Sequence, residues 1–525
     1  MGVMTPSIPR QLTVQAALIA AAVSASGCFL VSRVSVRSLD RAPVSVRTPV
    51  RVHLVDGSTV VFREGAVVSQ AAVTGRGMRF GLTLDSSAES SVPMADVLGM
   101  ETFVSYVDPG ASIGVSVLAT AAVLVGTVVI ACINDPKCFG SCPTIYADSA
   151  GVAVLQAEGF SYSIAPLFEM RDVDPLRVRA DASGAVALEV RNEALETHYI
   201  NHLELLDIRH RPGETVVPDP RGVPVALAGL TAPMNVTDRA GRDVRGVLAA
   251  HDGDAYRTDP GVLNRASGAD HDDWIVLEMP APSDADSVAI LFRLRNSLLT
   301  TVLFYDVMLG DRGARALTYV ADDLSRIGPA VDLGRWYGET MGMHVAVQDG
   351  GRWRQVGRFL DTGPVAWKEL AVVVPVPRGS PTLRVRLSFV ADDWRIDRLA
   401  VAASFRRPSA RTVPLARVID SDGHADSSAL DNMRSADERY LQTTASQRFQ
   451  AVFEAGTGPA DSARTFFLAS QGYYTEWIRQ GWITQAHESS PFSPRDDAID
   501  EALRRWRGNQ ATYERQFAAT RVPVR

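Results

Sequence analysis

The sequence predicts a mainly β protein: a small N-terminal β-barrel, one hydrophobic helix, two tandem β-sandwich-like domains and a mixed α/β tail ending in a helix. Three observations carry this expectation. Period-two alternation with turn residues at short spacing fills most of 45–107 and 150–407, as strands with one buried face require. One long apolar stretch, GASIGVSVLATAAVLVGTVVIACIN, has no charged residue between Asp108 and Asp135. Period-3.6 spacing returns only near the C-terminus, at Ile499, Leu503 and Trp506.

Taken in order, residues 1–28 read as a lipoprotein-type signal peptide. Arg10 is the positive segment, Leu12–Val23 the short apolar core, and Ala25-Ser26-Gly27-Cys28 resembles a lipobox. Cys28 is then the lipidation site, and a lipoprotein's two or three acyl chains anchor firmly where one would not. An ordinary secretory peptide with an incidental cysteine is the alternative. Residues 29–44 form a linker. Residues 45–107 hold the barrel, with Val50, Val52 and Leu54 alternating with Arg51 and His53 before the Asp56-Gly57 turn.

Residues 111–133 would span roughly 34 Å as a helix, enough for a bilayer core of about 30 Å. This segment predicts membrane attachment, and its small residues, such as Ala122 and Gly126, suit self-association into a homo-oligomer. No Lys or Arg lies between Arg79 and Lys137, so the charge rule leaves orientation undecided. A bacterial cell-envelope location follows, with the body periplasmic or at the cell surface. Residues 134–149 are a Cys-containing linker. In an exporting compartment Cys138 and Cys142, spaced C-x3-C, would form a disulfide; free thiols are the alternative, and zinc would need two further ligands nearby.

Residues 150–310 read as one β-sandwich and 311–407 as a second, jelly-roll-like one. Strands are expected at Met343–Val347, Leu370–Val374, Leu383–Phe389 and Arg395–Phe405. Four tryptophans of the second region, Trp336, Trp353, Trp367 and Trp394, are candidate ligand-facing aromatics, although core filling is the commoner role for tryptophan. The tail, 408–525, has strands near Phe449–Phe453 and Thr465–Ala469, helical spacing over Tyr473–Ile483, and a last helix from Ser493-Pro494 to about Phe517.

The stretch SCPTIYADSAGVAVLQAEGFSYSIAPLFEM at 141–170, with LEVRNEALETHYINHLELL, DTGPVAWKEL and RTFFLASQGYYTEWIR, resembles uncharacterised bacterial envelope lipoproteins and membrane proteins with a Cys-Pro-x-x-Tyr element after a hydrophobic segment. The resemblance implies an envelope location and this domain order. It brings no activity and no catalytic residues.

The net charge of −7 leaves no basic face for nucleic acid. Local motifs for nucleotide or zinc-protease chemistry are absent from the sequence, and the expectation is no cofactor, no metal and no catalytic residue. His198 and His202 are four apart beside Glu196 and Glu204, but on a strand Glu196, His198, Asn201 and Glu204 do not share one face, which argues against a metal site. Asp420, Asp422 and Asp426 lack the middle ligand of a calcium loop and read as a solvated turn. The function expected is non-catalytic binding or scaffolding of an envelope protein or carbohydrate. The rival is an envelope hydrolase, marked by a pocket that gathers two or more of Asp252, His271, Asp272 and Asp392.

Overall fold

The computed structural model describes residues 30–32, most of 43–107, 142–309 and 327–476 with a few short gaps, and 496–519. Cys28, Cys138 and the 111–133 segment lie outside the described residues. Among those described, no helix is long and apolar enough to cross a membrane.

The chain is mainly β, its sheets bent into a nearly closed barrel and a half-barrel. Near the N-terminus, seven antiparallel strands between Val44 and Thr102 pair edge to edge. Their inward residues, Val50, Val52, Val60, Phe62, Val73 and Val97, form one apolar core. This is the burial that the period-two alternation dictates, since successive side chains point to opposite faces.

The body departs from two tandem sandwiches. A nine-stranded sheet takes strands from both 144–210 and 410–476, in the spatial order Val152–Glu158, Thr144–Ser149, Ala185–Arg191, Arg448–Glu454, Ala410–Ile419, Glu196–His210, Ala463–Glu476 and Met170–Leu176; Leu441–Thr443 pairs off Glu196–His210. The chain leaves this sheet at His210 and returns at Ala410, where Ile208 is again opposite Ala410. The described strands between form a single sandwich inserted into the sheet. One of its five-stranded layers comprises Thr215–Pro218, Pro224–Thr231, Trp394–Arg406, Ser287–Asn296 and Lys368–Pro375. The other comprises Asn235–Asp238, Asp272–Pro280, Thr382–Val390, Met343–Asp349 and Arg352–Phe359. Both layers draw strands from before and after residue 310, and they close on one shared core that includes Ile275, Phe292, Val345, Val372, Leu387 and Trp394.

Individual strands follow the sequence expectation, while their grouping does not. Alternation reports a buried face but is silent on which distant strand supplies the neighbour. Tyr473 and Tyr474 correct a second reading: they belong to the strand Ala463–Glu476, and Tyr473 stacks on Tyr199 with ring centroids 4.5 Å apart.

Two polar latches hold the insert to the outer sheet. Lys368, one of two lysines in the chain, reaches from the sandwich to Asp172 and, at 3.0 Å, to Asp174. Burial opposes its charge, and the two aspartates more than restore it, so its pKa is raised. Glu158 of the outer sheet accepts hydrogen bonds from the backbone N–H groups of Val365 (2.8 Å) and Ala366 (3.1 Å). Gly363 makes that approach feasible. Its φ is +85°, and a Cβ there would collide with the Glu158 carboxylate.

A helical layer closes one end. The turns over Val302–Leu309, the helix Ile327–Thr340 and the helix Asp496–Ala519 share a core built on Leu303, Phe304, Leu333, Tyr337, Leu503 and Trp506.

Candidate functional site

On the second layer of the insert, LRVRLSF at 383–389 alternates strictly. Leu383, Val385, Leu387 and Phe389 enter the core, which leaves Arg384, Arg386 and Ser388 on the outer face. The register sets their neighbours: Ala346 lies opposite both Arg386 and Gln355, and His344 opposite Ser388. A small residue between two long polar ones makes a low floor with raised walls. The result is an open trough of about 500 Å³ lined by Asp272, Glu339, His344, Trp353, Gln355 and Arg386, with His271 and Ser388 at its edge.

The Arg386 guanidinium lies 4.9 Å from the centre of the Trp353 ring. No carboxylate among the described residues pairs with Arg386, and its Nε has no hydrogen-bond partner. Gln355 contacts His344 Nδ1 at 3.3 Å. His271 Nδ1 donates to the Gly268 carbonyl at 2.6 Å, which turns Nε2 toward Asp272 at 3.5 Å. Burial lifts the Asp272 carboxyl above its ordinary range against the pull of His271, His344 and Arg239. Burial lowers His344, with Asp272 opposing. The trough therefore presents a cationic donor, an amide, a carboxylate and an aromatic surface on a sheet, with a second carboxylate, Glu339, from the helix Ile327–Thr340.

The sequence candidates disperse. Trp353 lines the trough. Trp394 is fully buried between the layers, edge-on to Phe359 at 5.6 Å, so it is a core residue and faces no ligand. Trp336 is half-buried against the helical core, and the Trp367 ring is covered by the guanidinium groups of Arg293 and Arg295, 4.7 and 4.9 Å from its centre. Of the four hydrolase markers, His271 and Asp272 meet in the trough. Asp392 instead holds Arg395, and Asp252 caps its own exposed loop. Asp420 Oδ1 accepts from the backbone N–H of Asp422 and His424, an exposed turn that satisfies itself. His198 pairs with Glu196 in the outer sheet's interior, and a register shift between Ile200 and His202 sends His202 to Glu204 instead. Cys142 is a buried free cysteine, its thiol pushed well up by burial.

Arg386, His344, Gln355 and Glu339 are absent from the sequence candidates. For His344, Gln355 and Arg386 the signal was the polar half of the same alternation that announced the strands; Glu339 lies on the helix Ile327–Thr340, outside that pattern.

No family model matches the chain, and no curated protein matches it. Solved structures that do match include an alpha-xylosidase from Xanthomonas citri, at 10% identity over 83% of this chain and 38% of that one, with a TM-score of 0.15. An exo-beta-1,3-galactanase from Phanerochaete chrysosporium matches at 10% identity over 71% and 100%, with a TM-score of 0.16. Carbohydrate-binding modules of the β-sandwich superfamily match at 6% identity over 70% and 98%, with a TM-score of 0.13. This chain spans 38% of the xylosidase's length. Likeness this slight carries no argument about fold or function.

Proposed function

We propose that this is a non-catalytic bacterial envelope protein that binds a hydroxyl-rich ligand of the carbohydrate class in the trough of its inserted sandwich. The observation that carries the reading is the uncompensated Arg386 stacked beside Trp353, in an open trough that also offers acceptors at Asp272 and Glu339. Sugar hydroxyls donate and accept at adjacent positions, so their site needs both kinds of group together, and a ring face packs on an aromatic plane. Trp353→Ala and Arg386→Ala are each expected to weaken glycan binding by about tenfold or more, on the order of 1.4 kcal/mol, with folding unchanged because both side chains lie on the outer face. Glycan-array screening followed by calorimetry reads this. Undiminished affinity in both variants would sink the assignment.

The convergence of His271 and Asp272 meets the mark expected of the rival and supports a second reading, a glycan hydrolase with Asp272 and Glu339 as its carboxylate pair. It stands second because the trough is open, whereas an enzyme gathers its titratable groups in a deep pocket. Reducing-sugar release that disappears in Asp272→Asn, with binding retained, would favour it over binding alone.

Anchoring through Cys28 and the 111–133 segment belongs to the same proposal, with the body outside the cytoplasm; the disulfide expected between Cys138 and Cys142 is not part of it, because the Cys142 thiol is free and buried. Mass spectrometry of protein from its own host is expected to find an acylated N-terminal Cys28. An unmodified Met1 terminus excludes it.

A further inference from the structure

A second site, which shares no lining residue with the trough, lies where the outer sheet, the insert and the helical layer meet. It is a cavity of about 60 Å³ whose walls include Tyr162, Phe168, Phe304, Tyr305, Tyr337 and Tyr474. The rings crowd one another: Phe304 and Tyr337 centroids are 5.2 Å apart, Tyr162 and Tyr337 5.4 Å, and Tyr162 and Phe168 5.8 Å.

One polar wall interrupts this lining. Asn296 Nδ2 donates to Asp361 at 2.9 Å, and Thr300 Oγ1 donates to Asp393 at 2.6 Å. Asp361, Asn296 and Thr300 all face the cavity. Asp393 sits behind them, fully buried, and its Oδ2 has no partner. Among the described residues no lysine, arginine or histidine forms an ion pair with either carboxylate. Arg395, the nearest candidate in sequence, is bound to Asp392 by two hydrogen bonds. Burial raises both carboxyls, Asp393 to about 7; Asp393 adds to the rise of Asp361 and Asp392 to that of Asp393, while Thr300 and the field of Arg395 pull Asp393 back.

Asp361 at the cavity wall and the fully buried Asp393 behind it have no ion-paired cation beside this aromatic cage, so their ionised forms are costly until a cation arrives. A hard metal ion would need more oxygen ligands than this wall supplies. An organic cation meets both surfaces, placing positive charge against Asp361 and its C–H groups against the ring faces. We propose that this cavity binds a small primary ammonium group.

Space for the rest of such a ligand adjoins the cage. Ser161, Tyr162 and Asp361 also line a larger pocket of about 460 Å³. The ammonium head would occupy the cage while the remaining chain extends into that pocket.

The test uses the purified full chain with ethylammonium as probe, ethanol as its neutral counterpart and sodium chloride at matched ionic strength. Calorimetry and thermal shift are expected to show saturable binding of ethylammonium, about tenfold or more tighter than ethanol, and no response to sodium. Asp361→Asn keeps the shape and the Asn296 contact while removing charge, and is expected to weaken ethylammonium at least about tenfold. Trp353→Ala leaves this binding unchanged, which separates the cage from the trough. Equal affinity for ethanol and ethylammonium in the native chain, or full ethylammonium affinity in a folded Asp361→Asn variant, overturns the proposal.

Discussion

Trp506→Ala is expected to lower the unfolding free energy of the body by about 3–5 kcal/mol, the range for truncating a fully buried aromatic residue. Trp506 has no exposed surface and sits at the centre of the helical layer's core. Its ring stacks on Tyr513 with centroids 6.1 Å apart, and its indole N–H donates to Asp392 Oδ2 at 2.8 Å. That second contact ties the C-terminal helix to the insert. Asp392 is itself held by Arg395, at 2.8 and 3.1 Å, and Gln510 adds a further donor at 2.9 Å. Alanine opens a cavity and leaves a buried carboxylate oxygen one donor short. Trp506→Phe separates the two effects, because it keeps most of the apolar contact and loses only the hydrogen bond, which costs about 1–3 kcal/mol. Urea unfolding followed by circular dichroism measures both. A loss below about 1 kcal/mol for the alanine variant would show that the helix is not integral to the body.

Stability is expected to fall as pH rises from about 4.5 to 7, with Glu158 a principal cause. Burial raises its carboxyl to about 7 in the folded chain, against two backbone N–H donors and the field of Arg295. Unfolded, it titrates near the ordinary glutamate value of about 4.3. Between those values the folded state holds a proton that the unfolded state has released, so each step up in pH favours unfolding until the curve flattens above about 7. For a shift of this size the change is about 3 kcal/mol. Asp174 and Asp393, each raised to about 7 by burial, act in the same direction. His202, raised by its bond to Glu204, also does, since its stabilisation fades as it loses its proton. Glu204 acts oppositely: its bond to His202 and then to Arg171 holds it down to about 2, so it costs stability only in stronger acid. Glu158→Gln keeps an oxygen for Val365 and Ala366 and removes the charge. It is expected to match the native chain at pH 4.5, exceed it at pH 8 and flatten the slope between. An unchanged slope would assign the pH dependence to the other carboxyls.

By itself the sequence determined the local structure. Alternation placed the strands Met343–Asp349, Lys368–Pro375, Thr382–Val390 and Trp394–Arg406, because a sheet with one buried face imposes a period of two on any chain that forms it. The spacing of Ile499, Leu503 and Trp506 likewise marked the last helix. Only the tertiary structure decided which strands are neighbours. Ala410–Ile419 pairs with Glu196–His210 across about 200 intervening residues, and nothing in either segment names the other, since a backbone ladder accepts any extended partner. One insertion therefore read as two sandwiches and a tail. The sites were hidden for the same reason. Arg386, Ala346 and Gln355 become one trough wall and floor through register alone. Asp361 and Asp393 become a pair because a loop and a strand end meet at Asn296 and Thr300. A charge's role depends on what surrounds it after folding, and burial, the term that moved these carboxyls, is a property of the packed chain.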